Sequence, residues 1–256
     1  ITNMELDHSE VYTDIGEYQK AFKQFANNTK KKIFWLKKNR LDRLSSNKLK
    51  SINQKTFDFK YVFGQHNNQN ASLIYSLLSF LYPEQKFEIK NILENYPWLW
   101  RRIEFLFENK SWAKIFTDYW HHPSEINAVC QAFKTQFPKK KLVCIFQPHQ
   151  ARRVLEHWDY FIQILKQFDK NHIYDIYIAR ENLPDLKKEF ERKDFKNINS
   201  IADIWNLFAS KTDWTYTQDF QDIIAIIDNL WKEDIGIVFS AWDLDIKVRN
   251  LKKDSH

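Results

Sequence analysis

Glycine is almost missing from this chain: it occurs 3 times in 256 residues, where an ordinary domain is about 7% glycine and relies on it to turn the backbone through positive φ. Tryptophan, with 10 residues, is abundant where glycine is scarce. The sequence has no run of 18 apolar residues and no signal-peptide pattern, so nothing points to membrane insertion or export. Cysteine is limited to Cys130 and Cys144. One falls on a predicted helix face and the other inside a predicted strand, which reads as buried, reduced thiols of a cytoplasmic protein rather than a disulfide.

What is present suffices for a sizeable core, and the length accommodates one large domain or two smaller ones; two is the reading adopted. The formal charge is +6, and a basic, aromatic-rich composition is also found in nucleic-acid-binding proteins. The lysine runs Lys30–Lys32 and Lys139–Lys141 fall in predicted loops, where a solvated face explains them, and polyanionic small ligands also favour a basic surface. Neither nucleic acid nor membrane is therefore an expected partner.

Apolar spacing predicts an amphipathic helix over 15–25, a strand over 57–63 and a buried helix over 71–81. The second half alternates. Strands are expected at 114–117, 142–146, 173–179 and 235–240, and helices at 122–137, 151–168, 183–192, 201–211 and 220–230. Such β–α alternation argues for a doubly wound α/β domain with its ligands at the carboxyl ends of the strands, and the conspicuous polar segments fall at those ends.

The densest of these segments is Thr117-Asp118-Tyr119-Trp120-His121-His122-Pro123-Ser124-Glu125-Ile126, followed one helix later by Phe146-Gln147-Pro148-His149. Weaker ones are Asn3-Met4-Glu5-Leu6-Asp7-His8, His66-Asn67-Asn68-Gln69-Asn70, Arg101-Arg102-Ile103-Glu104 and Asp175-Ile176-Tyr177-Ile178-Ala179-Arg180-Glu181. Together they resemble the UDP-N-acetylmuramate–L-alanine ligases of the Mur ligase family, where the first segment reads Asp-Asp-Tyr-Gly-His-His-Pro-Thr-Glu-Ile and the second Phe-Gln-Pro-His-Arg. The resemblance runs from Asn3 to about Leu251. It implies a partial central ATP-binding α/β domain over 1–110, lacking its phosphate loop, and a doubly wound, Rossmann-like C-terminal domain over 111–256. In the family Ile1 to His8 lie at the exit of a central-domain strand, so a missing N-terminal half of the same protein is expected, and the piece alone is expected to be inactive.

Tryptophan stands where the family has glycine: Trp98 and Trp100 before Arg101-Arg102, Trp120 in the densest segment, and Trp242 in Ser240-Ala241-Trp242-Asp243. Trp112, Trp205, Trp214 and Trp231 also sit among turn-type or small residues rather than in apolar stripes. The reading that follows is that UGA codons meaning glycine stand here as tryptophan. Indoles at positive-φ turns would each be strained by about 1 kcal/mol or more.

The family joins L-alanine to UDP-N-acetylmuramate in peptidoglycan biosynthesis, using ATP and Mg²⁺ to make an acyl phosphate. The resemblance assigns Mg²⁺ to Glu5, a hard oxygen ligand, and adenine contacts to His66, Asn67 and Asn70, since an amide both donates and accepts. Taken alone, the same residues also suit a solvated loop and a helix cap. A second metal-binding histidine of the family aligns with Asn27 instead. Arg102 is assigned to the ATP phosphates as a catalytic cation, and Asp118 to the ribose. Nucleotide is thus expected between Arg102 on one lobe and Asp118 on the other. Tyr119, catalytic His121, His149 and Arg153 are assigned to the amino-acid pocket, with His122 capping the next helix. A zinc site at His121, His122 and His149 is disfavoured, because adjacent histidines diverge and no cysteine pair accompanies them.

Departures from the family pattern leave room for rivals. Gln150 replaces a family arginine, which admits the sister ligase that adds a recycled tripeptide, and Arg180 replaces a family glycine. The Gly-x-x-x-x-Gly-Lys phosphate loop is absent, which admits a non-catalytic nucleotide-binding remnant.

Overall fold

Lys141–Gln147 and Asp234–Ser240 are apolar at nearly every position between their ends, the pattern of strands buried on both faces. They form β5 and β8, side by side at the centre of a six-stranded sheet. The computed structural model describes residues 1–4, 11–12, 14–37, 47–97, 99–177, 181–192, 199–210 and 214–251, in two units, Ile1–Pro97 and Trp98–His256.

In the first unit, Asp14 caps helix α1 (Ile15–Asn28) by accepting from the Glu17 amide. Strands β1 (Ile33–Leu36) and β2 (Leu49–Ile52) pair in parallel, and helices α2 (Gln65–Leu81) and α3 (Lys86–Glu94) follow. Residues 57–63 form no strand; their backbone bonds instead go to α2 and α3, with the Asp58 and Lys60 amides donating to the Glu94 carboxylate and carbonyl. Phe57 packs against Tyr75 of α2 while its amide donates to Asn68 Oδ1. Helix α2 is buried at Ala71, Ser72 and Leu73, but Ile74, Leu77, Phe80 and Leu81 are exposed, so it is not the buried helix its composition suggested.

The second unit opens with β3 (Glu104–Glu108), antiparallel to β4 (Lys114–Asp118). Helix α4 (Pro123–Gln136) follows β4, and α5 (Ala151–Glu156) and α6 (Trp158–Leu165) follow β5. Next come β6 (Lys170–Tyr174), α7 (Leu183–Arg192), α8 (Ile201–Ser210), β7 (Thr215–Thr217), α9 (Phe220–Asp228), β8 and α10 (Asp243–Leu251). The sheet order is β3-β4-β8-β5-β6-β7, parallel except for β3. Because β3 belongs to this sheet, the chain divides at Pro97–Trp98 rather than at residue 110.

Alternate side chains of the strands feed two cores. Ile115, Val143, Ile145 and Val238 pack with Ile223 and Ile227 of α9 and Leu244 and Val248 of α10. On the other face Phe116 meets Phe133 of α4, Phe146 meets Phe161 of α6, and Trp158 meets Phe190 and Phe208 of α7 and α8. Helices thus cover both faces, the doubly wound arrangement expected. The expected helix over 151–168 is broken at His157. Cys130 and Cys144 are buried free thiols; burial pushes Cys130 up to about 11.

The tryptophans do not share one environment. Trp205 (0% exposed) and Trp214 (9%) lie in the core, contrary to the turn-type setting their neighbours suggested. Trp112 is the tryptophan found at positive φ, 63°, among the described residues, so the expected strain applies there and not generally. The indole N–H groups of Trp35 and Trp205 are buried without a hydrogen-bond partner, an arrangement that costs about 1–3 kcal/mol per group.

Candidate functional site

Parallel strands place their carboxyl ends on one edge, and the order β4-β8-β5 brings Asp118, Ser240 and Gln147 there together. Asp118 has no exposed surface. Its Oδ2 accepts from the Ile103 amide at 2.7 Å and its Oδ1 from the Trp120 amide at 2.9 Å. Burial pushes its carboxyl up to about 7, against the pull of those two N–H groups and of Arg102. The carboxylate therefore ties the turn before β3 to the end of β4.

That turn is strained. Arg101 and Ile103 have φ of 55° and 46°, which costs a non-glycine residue about 1–2 kcal/mol each. Between them stands Arg102, its guanidinium 3.3 Å from the centre of the Trp120 ring and 5.4 Å from that of Tyr119. Its Nη1 is 3.8 Å from Asp118 Oδ1 and buried without a hydrogen-bond partner, which leaves donor capacity for an anionic ligand. Burial lowers its pKa, opposed chiefly by Asp118.

Tyr119 is followed by His121, ring centres 5.7 Å apart, and His121 lies 5.4 Å from His149 at the end of β5. Arg153 Nη1 is 3.4 Å from both His149 Nδ1 and the His149 carbonyl oxygen. Burial, with Arg153 adding to it, lowers the His149 pKa, so the ring is neutral near pH 7. Residues 148–152 are fixed from the loop after β6: the Gln150 amide donates to the Tyr177 carbonyl, the Tyr177 amide to that of Pro148, and the Ala151 and Arg152 amides to the Glu181 carboxylate. Gln150 itself has φ 68°. His122 caps α4 in a capping box with Glu125, as expected.

The site residues read from the motifs in the second unit, Arg102, Asp118, Tyr119, His121, His149 and Arg153, thus form one cluster. One placement is corrected: Arg102 and Asp118 belong to the same unit, as near neighbours, and do not face each other from two lobes. His66, Asn67 and Asn70 open α2 in the first unit, where the Asn67 amide group donates to the Phe63 carbonyl and Asn70 is exposed. Asn27 lies in the last turn of α1, its carbonyl accepting from Lys48 Nζ. Glu5 and Arg180 lie outside the described residues. Among the described residues no group of three or more His, Cys, Asp or Glu is placed to hold a metal. The motif Arg101-Arg102-Ile103-Glu104 gave no role to Arg101 or Glu104, and Asp245 and Arg249 lie outside every motif; these four residues form a linked charge network behind Arg102. The i,i+4 spacing of Asp245 and Arg249 was the available signal.

No family model matches the chain. It is 32% identical over 217 residues to the UDP-N-acetylmuramate–L-alanine ligase of Leuconostoc citreum, covering 71% of this chain and 47% of that protein. The chain spans about half the length of the curated relatives it matches. Among solved structures, the UDP-N-acetylmuramate–alanine ligase of Thermotoga maritima superposes with a TM-score of 0.69 at 19% identity, over 98% of this chain and 58% of that one. The murein peptide ligase of Psychrobacter arcticus does so with 0.59 at 14% identity, over 98% and 56%.

Proposed function

The chain belongs to the Mur ligase family, and on that premise we propose that its protein joins L-alanine to UDP-N-acetylmuramate at the expense of ATP, in the cytoplasm, for peptidoglycan synthesis. In this reading the γ-phosphate passes to the substrate carboxylate, releasing ADP. The amine then attacks the acyl phosphate, and phosphate leaves as the amide forms. Arg102 offers its free donors to the transferring phosphate, where a fixed cation lowers the barrier most. Neutral His149, with His121 beside it, is suited to take a proton from the amine, and Arg153 to meet the amino-acid carboxylate. His66, Asn67 and Asn70 are assigned to adenine, whereas Asp118, expected at the ribose, has no exposed surface and holds the turn that carries Arg102 instead. Glu5 would be among the residues holding Mg²⁺, which would supply neutralisation of phosphate charge when bound.

The gathering of Arg102, Tyr119, His121, His149 and Arg153 at the carboxyl ends of β4 and β5 carries this reading. The test is ADP release by the full-length protein given UDP-N-acetylmuramate and each amino acid in turn. Release with L-alanine supports it; no release with any amino acid opposes it. Gln150, where the family has arginine, favours one second reading, addition of a recycled tripeptide. In that case ADP release appears with the tripeptide and not with L-alanine.

A further inference from the structure

We propose that Arg249, on the last helix, is a positioning residue for Arg102. Arg102 lies with its guanidinium over the Trp120 ring and 3.8 Å from Asp118 Oδ1, and the backbone it projects from is a turn whose flanking residues, Arg101 and Ile103, both lie in the left-handed region. Such a turn persists only where its surroundings over-determine it, and Asp118 accounts for one end of it through the Ile103 amide.

Arg249 accounts for the other end. Its Nη1 and Nη2 meet Glu104 Oε1 and Oε2 at 2.9 and 2.6 Å, the bidentate fork that arginine provides and lysine does not. Glu104 Oε2, fixed in this way, accepts from the Arg101 amide at 2.8 Å. Arg249 Nε holds Asp245 Oδ2 at 2.9 Å, and the same oxygen meets Arg101 Nε at 3.1 Å. Asp245 is in turn fixed by Thr117, whose hydroxyl donates to its Oδ1 at 2.6 Å. Arg101 Nη2 closes the arrangement on the Ser240 carbonyl at 2.7 Å. A single guanidinium on α10 therefore orients both carboxylates that grip Arg101. No contact between Arg249 and Arg102 is involved, so the influence passes through the backbone of the turn.

That Arg102 serves phosphate rests on the function proposed above, whereas the clamp on the turn does not, and the experiment separates the two. In the full-length protein, Arg249→Lys keeps the charge and loses the fork, and Glu104→Gln loses the fork while keeping an acceptor for the Arg101 amide. Hydrogen exchange of the Arg101 and Ile103 amides is measured beside kcat and KM. Arg249→Lys is expected to speed exchange at both amides by roughly tenfold, with α4 and β5 unchanged. Its kcat is expected to fall about tenfold to a hundredfold with little change in KM for the amino acid. Glu104→Gln is expected to show the same kinetic loss with a smaller gain in exchange at Arg101. Unchanged exchange at both amides in Arg249→Lys overturns the proposal, as does faster exchange with wild-type kcat. A wild-type protein without ligase activity counts against the function alone, and the exchange result still decides the clamp.

Discussion

At the scale of single residues the site motifs were legible, but the environments of their side chains were not. Asp118 stood out in the sequence because of its neighbours, yet nothing there showed that both its oxygens are engaged by backbone amides donated by Ile103 and Trp120. Replacing Asp118 by Asn turns one acceptor into a donor facing an N–H group. The expected loss is about 1–3 kcal/mol of stability, measured by denaturant unfolding; a loss below that range would mean the turn is held elsewhere. His149 makes a pH prediction. Burial first and Arg153 second lower its pKa from the ordinary 6.5, so between the folded value and 6.5 the unfolded chain binds more protons. Stability contributed by this group is therefore present above that window and lost as pH falls through it. An NMR titration should find the imidazole midpoint below 6.5 in the native protein, moving upward in Arg153→Gln.

At the scale of elements, strands buried on both faces and amphipathic helices could be read directly, because their periodicity reflects burial. β4, β5, β8, α1, α4, α7, α8 and α9 lie where expected, within a few residues at their ends. The elements that were missed are short or depend on partners. β7 has three residues and exists by pairing with β6, β3 by pairing with β4, and α10 is mostly polar with Leu244 and Val248 inward. Conversely, the apolar spacing of 57–63 serves packing on α2, not a sheet. Two substitutions in the second unit should differ in cost. Phe133→Ala empties a fully buried site on α4 between Phe116 and Phe137 and should cost about 3–5 kcal/mol. Gly236→Ala on β8 puts a methyl 2.9 Å from the ends of Ile115 and Leu230, which can shift slightly, for about 1 kcal/mol, the low end of overpacking. Thermal or denaturant unfolding of both variants checks the order; equal losses would contradict this picture of the core.

At the scale of the whole molecule, the doubly wound second unit and the gathering of its motif residues at the strand ends could be foreseen, whereas the unit boundary could not. Residues 98–110 carry no periodicity that assigns them forward or backward, and the antiparallel pairing of β3 decides it. The tryptophans remain a property of the molecule as a whole. Trp112 at positive φ suits a smaller residue and the indole N–H groups of Trp35 and Trp205 lack partners, while Trp158, Trp205 and Trp214 pack in the core. If glycine occupies these positions in the native protein, mass spectrometry of protein from its own organism will give a mass for this segment below 31.2 kDa by ten indolylmethyl groups exchanged for hydrogen; an unshifted mass means the tryptophans are genuine. The proposed ligase chemistry is read out by ADP release from the full-length protein with UDP-N-acetylmuramate and L-alanine, beside its Arg102→Met variant. Release is expected to require both substrates and to fall about a hundredfold or more in the variant. Release that ignores UDP-N-acetylmuramate, or that survives the loss of Arg102, would contradict that chemistry.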